Sequence, residues 1–379
     1  MKVAYFTESL LPHVDGVSRT LAQLFGFLER SGIDFRIHSP FVPGPEVEWS
    51  RRVRQVRYVR FPLYPDYRVS VPIAPTIWRE LEGWGPDLLH VVSPTPMASR
   101  AQRWAAARGI PVVASFHTHF VSYFRYYGVP WLEGLGWRML RRFYARCARV
   151  YVPSEAIIRE LDEHGIGRTE LWSRGIDLAR FAPEHRSREL RTLAGADDAT
   201  PVLLMVSRLV KEKDMADLVA MERELRGRGS AHRLVLVGDG PMRAELEAAL
   251  PDAFFAGHQS GEALARWYAS GDVFVFPSTT ETFGNVVLEA QASGMPTVVV
   301  DRGGPPDLVA PGETGYVARP NDPADLADRV EALLRDPAER QRMGRAARDA
   351  ARWRDWSAIN GRLLDSYREV AALRQASSA

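Results

Sequence analysis

At 379 residues the chain is longer than a single hydrophobic core usually serves, so two domains are expected. A composition of 46% hydrophobic and 25% charged residues excludes a largely disordered chain, and a lone cysteine, Cys147, excludes an intrachain disulfide and a cysteine-based metal cluster. The net charge of +2 divides unevenly: residues 1–170 hold 22 Lys and Arg against 16 Asp and Glu, which leaves the remainder net negative.

The opening MKVAYFTESL has a short apolar run broken by Glu8, too brief for a signal peptide, and no later run approaches the roughly 18–20 residues of a membrane-spanning helix. A cytoplasmic protein is expected, with its contact with a membrane surface left open. Apolar runs at 3–6, 35–38, 88–92, 112–116 and 150–152 predict strands, and their continuous character suits parallel strands covered on both faces. After the fourth, SFHTHF (115–120) sets His117 and His119 in alternation, so at a strand end they point opposite ways. Two satisfied loop histidines and a metal pair are both open, although no Cys or carboxylate stands near them in sequence. WLEGLGWRMLRRFYARCARV (131–150) gathers Arg138, Arg141, Arg142, Arg146 and Arg149 within about 140° of a helical wheel, with Trp131, Trp137 and Tyr144 as interfacial aromatics. A solvated arginine face and a surface that docks on anionic lipid both fit. RRVRQVRYVR (51–60) would extend such a surface, whereas nucleic acid is not expected because no recognition motif accompanies the arginines.

A polar stretch at 181–200 reads as a connection, and PVLLMVS (201–207) begins a second series of strands that continues at 233–238, 272–277 and 297–301. Two successive Rossmann-like units are the simplest account. The boundaries expected are an amino-terminal domain at 1–175 completed by a last helix at 356–379, a linker at 176–199 and a carboxyl-terminal domain at 200–355. Open α/β sheets bind ligands at the carboxyl ends of their strands, so a cleft between two such domains would be lined by those loops. In one of them, MVSRLVKEKD (205–214), Arg208 and Lys213 follow a buried strand; lysine otherwise occurs only at Lys2 and Lys211, which favours a specific role over solvated bases. In another, TETFGNVVLEAQASGMP (280–296), a helix must begin near Phe283, Gly284, Asn285 and Val286, and its first amides are a seat for phosphate or sugar oxygens. Glu281 stands just before that helix and Glu289 inside it, where carboxylates can accept from diols; a structural or solvated glutamate is the plainer alternative for each.

These stretches together resemble the retaining GT-B glycosyltransferases of family 4, over nearly the whole chain. DGVSRT (15–20) looks like the family's glycine loop, SFHTHF its histidine segment, SRGID (173–177) its interdomain motif, and GGPPDLVAPGETG (303–315) completes the set. The pattern is nearest to GDP-mannose-dependent α-mannosyltransferases and sulfoquinovosyl-diacylglycerol synthase-type lipid glycosyltransferases. The resemblance implies two Rossmann-like domains facing across a cleft. It implies transfer of a hexose, mannose favoured, from a nucleoside-diphosphate sugar to a lipid or glycolipid on the inner face of the cell membrane. By it, Arg208 and Lys213 would hold the diphosphate, Glu281 the hexose and Glu289 the ribose. Amides at Phe283, Gly284, Asn285 and Val286 would contact hexose and phosphate, Gly16 would admit the diphosphate, and His117 would sit by the reacting sugar. No Asp-x-Asp occurs, so neither a metal nor a cofactor is expected, and the departing phosphate would itself take the acceptor proton. Other readings are a UDP-hexose-dependent transferase with a lipid or small soluble acceptor, a nucleotide-sugar epimerase, and a non-catalytic binding module. A nicotinamide dehydrogenase fits poorly, because GDGPMR (238–243) has Arg243 where the third glycine belongs.

Overall fold

The computed structural model describes every residue except 62–63, 72–73, 122–123, 125–127 and 378–379. The chain forms two units, Met1–Val121 with Trp131–Arg174 and Trp356–Ala379, and Ser122–Pro130 with Gly175–Asp355.

The first unit contains β1 (Lys2–Phe6), β2 (Asp34–Ser39), β3 (Val53–Gln55), β4 (Tyr58–Phe61), β5 (Tyr64–Ser70), β6 (Leu88–Val91), β7 (Val112–Ser115), β8 (Arg149–Val152) and β9 (Thr169–Leu171). Seven form one sheet in the order β3-β2-β1-β6-β7-β8-β9, with parallel pairings, and β4 and β5 form a separate antiparallel hairpin. All four residues of β6 and of β7 are buried, as a sheet covered on both faces requires. The helix Gly16–Arg30 starts at a capping box: Asp15 accepts from the Ser18 amide at 2.6 Å while the Ser18 hydroxyl accepts from the Asp15 amide at 2.8 Å. The last helix, Trp356–Ser377, places Ile359, Leu363, Tyr367 and Val370 in this unit's core. There His90 meets the Tyr367 hydroxyl at 2.5 Å through Nδ1 and the Ser115 hydroxyl at 3.0 Å through Nε2, fastening β6, β7 and the last helix together. Burial pulls His90 down to about 3, so this imidazole is neutral.

The second unit contains β10 (Val202–Val206), β11 (Arg233–Val237), β12 (Phe254–Gly257), β13 (Val273–Phe276), β14 (Thr297–Val300) and β15 (Gly315–Ala318), all parallel, in the order β12-β11-β10-β13-β14-β15. The order reverses direction between β10 and β13, and in the first unit between β1 and β6; such switch points are where doubly wound sheets bind ligands. The segment expected as a linker is built into this unit. It holds the helix Arg188–Leu193, and Phe181, Ala194 and Ala196 belong to the core. β12, which the predicted strands do not include, is half-buried throughout and carries the short apolar run Phe254-Phe255-Ala256.

Candidate active site

Two loops meet at the switch point of the second unit. After β10 the chain makes a short turn, Lys211–Lys213, and enters the next helix through Asp214 in a left-handed conformation (φ 52°). After β13 the hydroxyls of Ser278, Thr279 and Thr280 reach across to that turn. Asp214 Oδ2 accepts from the Thr279 amide at 2.7 Å and its hydroxyl at 2.9 Å, and the Glu212 carbonyl accepts from the Thr280 hydroxyl at 2.8 Å. The two loops are thereby pinned in register, and Lys213 Nζ donates to Glu281 Oε1. A carboxylate has two oxygens, so Glu281 can hold Lys213 with one and accept a ligand hydroxyl with the other.

Behind Glu281 the backbone is held by Gly303 and Gly304. The Gly304 amide donates to the Glu281 carbonyl at 2.8 Å, and a Cβ on Gly303 would lie 2.2 Å from that same carbonyl, so any side chain there would displace Glu281. The helix Asn285–Ala292 follows at once. Gly284 (φ 92°) stands at its N-cap, and among the described residues no side chain caps the first amides, at Asn285 and Val286, which is the arrangement that suits an external acceptor. Phe283 is buried in the core beneath the Arg354 guanidinium, 5.7 Å from its ring centroid, and contributes backbone only. Arg208, by contrast, is exposed and pairs with Glu212 at 3.6 Å. Glu289, expected to meet ribose, is buried at 7% exposure and accepts from the Tyr268 hydroxyl at 2.7 Å. Gly238 of the G-x-G stretch has a structural use: its Cβ would lie 1.8 Å from the Ser207 carbonyl, so the glycine lets two loops touch.

Gly16 and His117 belong to the first unit. Gly16 opens the helix Gly16–Arg30, where its carbonyl accepts from the Thr20 hydroxyl at 2.8 Å. His117 follows β7 and accepts at Nδ1 from Arg174 Nη2 at 2.9 Å. His119 turns the other way, to Glu160 at 2.8 Å, so the alternation separates the two rings as expected. Among the described residues no three His, Cys, Asp or Glu side chains cluster closely enough to hold a metal ion.

Sequence reasoning passed over Glu8, Asp214 and Arg174. Glu8 follows β1 at the first unit's switch point, is 3% exposed, and neither carboxylate oxygen has a hydrogen-bond partner among the described residues. Burial raises its acid to about 7. The available signal was a carboxylate directly after a buried strand, the same signal that drew attention to Glu281.

The arginine stripe needs correction. The helix runs only over Glu133–Tyr144, so Arg146 lies beyond it, and Arg149 sits on β8, bonded to Ser366 at 2.6 Å and paired with Glu170 at 2.8 Å. Trp137 and Tyr144 are buried, Trp137 stacking on His164 at 3.7 Å, because they form the helix's inner face. Arg138, Arg141, Arg142 and Arg146 are exposed, and Leu135, Met139 and Trp131 are exposed beside them. In the 51–60 stretch Arg51 and Arg52 both bond Glu29, while the side chain of Arg60 lies outside those described. Among the described residues no helix is long and apolar enough to cross a membrane.

Each unit is a parallel-sheet Rossmann-like domain, and charged loops stand at the strand ends where such sheets bind ligands. The profile "Glycosyltransferase Family 4" matches residues 14–180 and "Glycosyl transferases group 1" matches residues 187–350. A GDP-mannose-dependent alpha-mannosyltransferase of Mycobacterium tuberculosis is 35% identical over 100% of this chain and 99% of its own. The sulfoquinovosyl transferase SQD2 of Arabidopsis thaliana is 32% identical over 98% of this chain and 74% of its own. The chain therefore belongs to glycosyltransferase family 4. Among solved structures, Anabaena HepE in complex with UDP superposes with a TM-score of 0.78 at 19% identity, covering 97% of this chain and 100% of that one. Sucrose-phosphate synthase of Thermosynechococcus elongatus gives 0.78 at 21%, covering 98% and 99%.

Proposed function

We propose that this glycosyltransferase moves a hexose, with mannose favoured, from a nucleoside-diphosphate sugar to a lipid or glycolipid acceptor with retention at the anomeric carbon. The observation that carries the reading is the Lys213–Glu281 contact, held by three hydroxyl-bearing residues at the second unit's switch point and followed at once by open helix amides. Lysine and the amides would take up the negative charge that grows on the departing phosphate, and Glu281 would hold the sugar's hydroxyls. Arg208, exposed and loosely paired, is free to swing onto the diphosphate. GDP-mannose is favoured over UDP-hexoses by the full-length similarity to GDP-mannose-dependent enzymes. A hydrolysis screen across GDP- and UDP-sugars tests this directly: turnover of GDP-mannose is expected, and turnover confined to UDP-hexoses would move the reading to a UDP-sugar transferase.

No metal or cofactor enters this scheme, because fixed cationic and amide groups neutralise the diphosphate. Enzyme treated with EDTA is expected to keep most of its transfer rate. A strict need for added Mg²⁺ or Mn²⁺ would overturn the electrostatic account.

The lipid half of the reading rests on the helix Glu133–Tyr144. Leu135 and Met139 are one turn apart on its exposed side, as are Arg138 and Arg142, so apolar and cationic groups face outward together. Docking on an anionic membrane would draw about 1 kcal/mol from each arginine near the surface. Sedimentation with anionic vesicles is expected to weaken as salt rises and to be absent with neutral ones. The triple change of Arg138, Arg141 and Arg142 to glutamate should abolish it while sparing hydrolysis of a soluble donor. Equal sedimentation of the wild type with both vesicle types would leave a soluble acceptor as the better reading.

A further inference from the structure

Arg174 is 4% exposed and forms no ion pair among the described residues. The three hydrogen bonds it makes among the described residues all go to neutral acceptors. Nη1 donates to the Trp172 carbonyl at 2.5 Å and the Ser173 carbonyl at 3.1 Å, and Nη2 points at His117 Nδ1, 2.9 Å away. The guanidinium also lies 5.1 Å from the Trp172 ring, whose edge contacts the His117 ring at 5.5 Å, so the three groups form one packed cluster. A guanidinium has donors only and carries its charge throughout the physiological range. The nitrogen it faces must therefore offer a lone pair.

We infer that Arg174 is a positioning residue that fixes His117 as its neutral Nε2–H tautomer, so that His117 meets a bound substrate as a hydrogen-bond donor and never as a base. A proton on Nδ1 would set N–H against N–H and a second positive charge beside the first. Burial, then the Arg174 charge and the neighbouring His90, hold the His117 pKa well below the ordinary imidazole range, in agreement with that geometry. Arg174 itself is pulled down by burial to about 9, which still leaves it cationic at neutral pH. The chemical partner of such a donor is an oxygen lone pair, on a sugar hydroxyl or a phosphate. This inference rests on the proposed function for its substrate, while the tautomer stands on the protein alone.

The test is a long-range proton–nitrogen correlation spectrum of full-length protein labelled at histidine nitrogens, with His117 assigned by its loss in H117Q. Wild-type His117 is expected to show an aprotic Nδ1 and a protonated Nε2, unchanged from about pH 5.5 to about pH 8.5. R174M, which removes the donor and the charge, should give a mixture of tautomers, with burial still keeping the ring neutral across that window. R174K should restore the wild-type pattern in large part. A protonated Nδ1 in the wild type overturns the inference, and so does an unchanged His117 signal in folded R174M. The wild-type spectrum alone decides the tautomer should R174M fail to fold.

Activity with GDP-mannose supplies the second arm. H117Q, which keeps an N–H near the Nε2 position, should retain at least tenfold more turnover than H117E, which is of equal length but accepts only. Equal rates in the two variants would overturn the donor role. Absence of any wild-type turnover with nucleotide sugars would sink the proposed function and leave the spectroscopic result intact.

Discussion

Lys213→Ala is expected to lower the transfer rate by about 10²–10³, the loss that follows removal of one preorganised donor to a developing anion. Glu281→Gln should cost about ten- to a hundredfold, in line with roughly 1.5–3 kcal/mol for a charge-assisted hydrogen bond. The fold should survive both. The turn that carries Lys213 is held by Asp214 and the 278–280 hydroxyls, and the Glu281 backbone by Gly304, so neither side chain is needed to shape its loop. Because Lys213 bonds Glu281 directly, the double variant should fall well short of the product of the two losses. Steady-state rates with the preferred donor, with unfolding midpoints measured alongside, check this. Near-normal rates in both purified variants would remove this pair from the chemistry and leave it a structural ion pair.

The strands at 3–6, 35–38, 88–92, 112–116 and 150–152 were legible because parallel strands buried on both faces leave continuous apolar runs. β3 and β9 were not, since Val-Arg-Gln and Thr-Glu-Leu are short strands with polar positions that carry no such run. Site residues divide in the same way. Lys213 and Glu281 announce themselves as charges at buried strand ends, a position readable in one dimension. That they touch depends on Asp214 accepting from Thr279 across 65 residues, and no periodicity encodes such a contact. Arg149 failed for a related reason. The helical wheel assumes a helix, and nothing in FYARCARV marks the turn after Tyr144 that carries Arg149 onto β8. Glu289 was readable as a carboxylate in an apolar helix, but the Tyr268 hydroxyl that it accepts from lies on another helix. His117 was singled out by its place in a motif, whereas its tautomer depends on Arg174, 57 residues further on.

Asp272→Asn is expected to lower the stability of the second unit by about 3–5 kcal/mol, since it leaves a buried guanidinium without its anion. Asp272 stands just before β13 and its oxygens accept from Arg186 at 2.8 Å, Arg191 at 2.7 Å and the Val202 amide at 2.8 Å. Arg191, 3% exposed, also donates to the carbonyls of Ser270, Asp197 and Thr200, so one arginine fastens the 186–200 segment to the sheet. Burial alone would raise the Asp272 acid, but Arg186, the Val202 amide and Arg191 outweigh it and hold the pKa below the ordinary 3.8. A carboxyl whose folded pKa lies below its unfolded value stabilises the fold above the unfolded value, and that contribution fades as pH falls through the folded one. The wild type should therefore lose stability on acidification below about pH 4, and D272N should show less of this loss because the titrating group is gone. At neutral pH the unfolding midpoint of D272N should drop by roughly 10 °C. Replacing Asp272 and Arg191 together by leucine and methionine should recover part of the loss, because an apolar pair carries no desolvation cost. A midpoint for D272N within about 1 °C of the wild type would mean that the 186–200 segment is held by its apolar contacts alone.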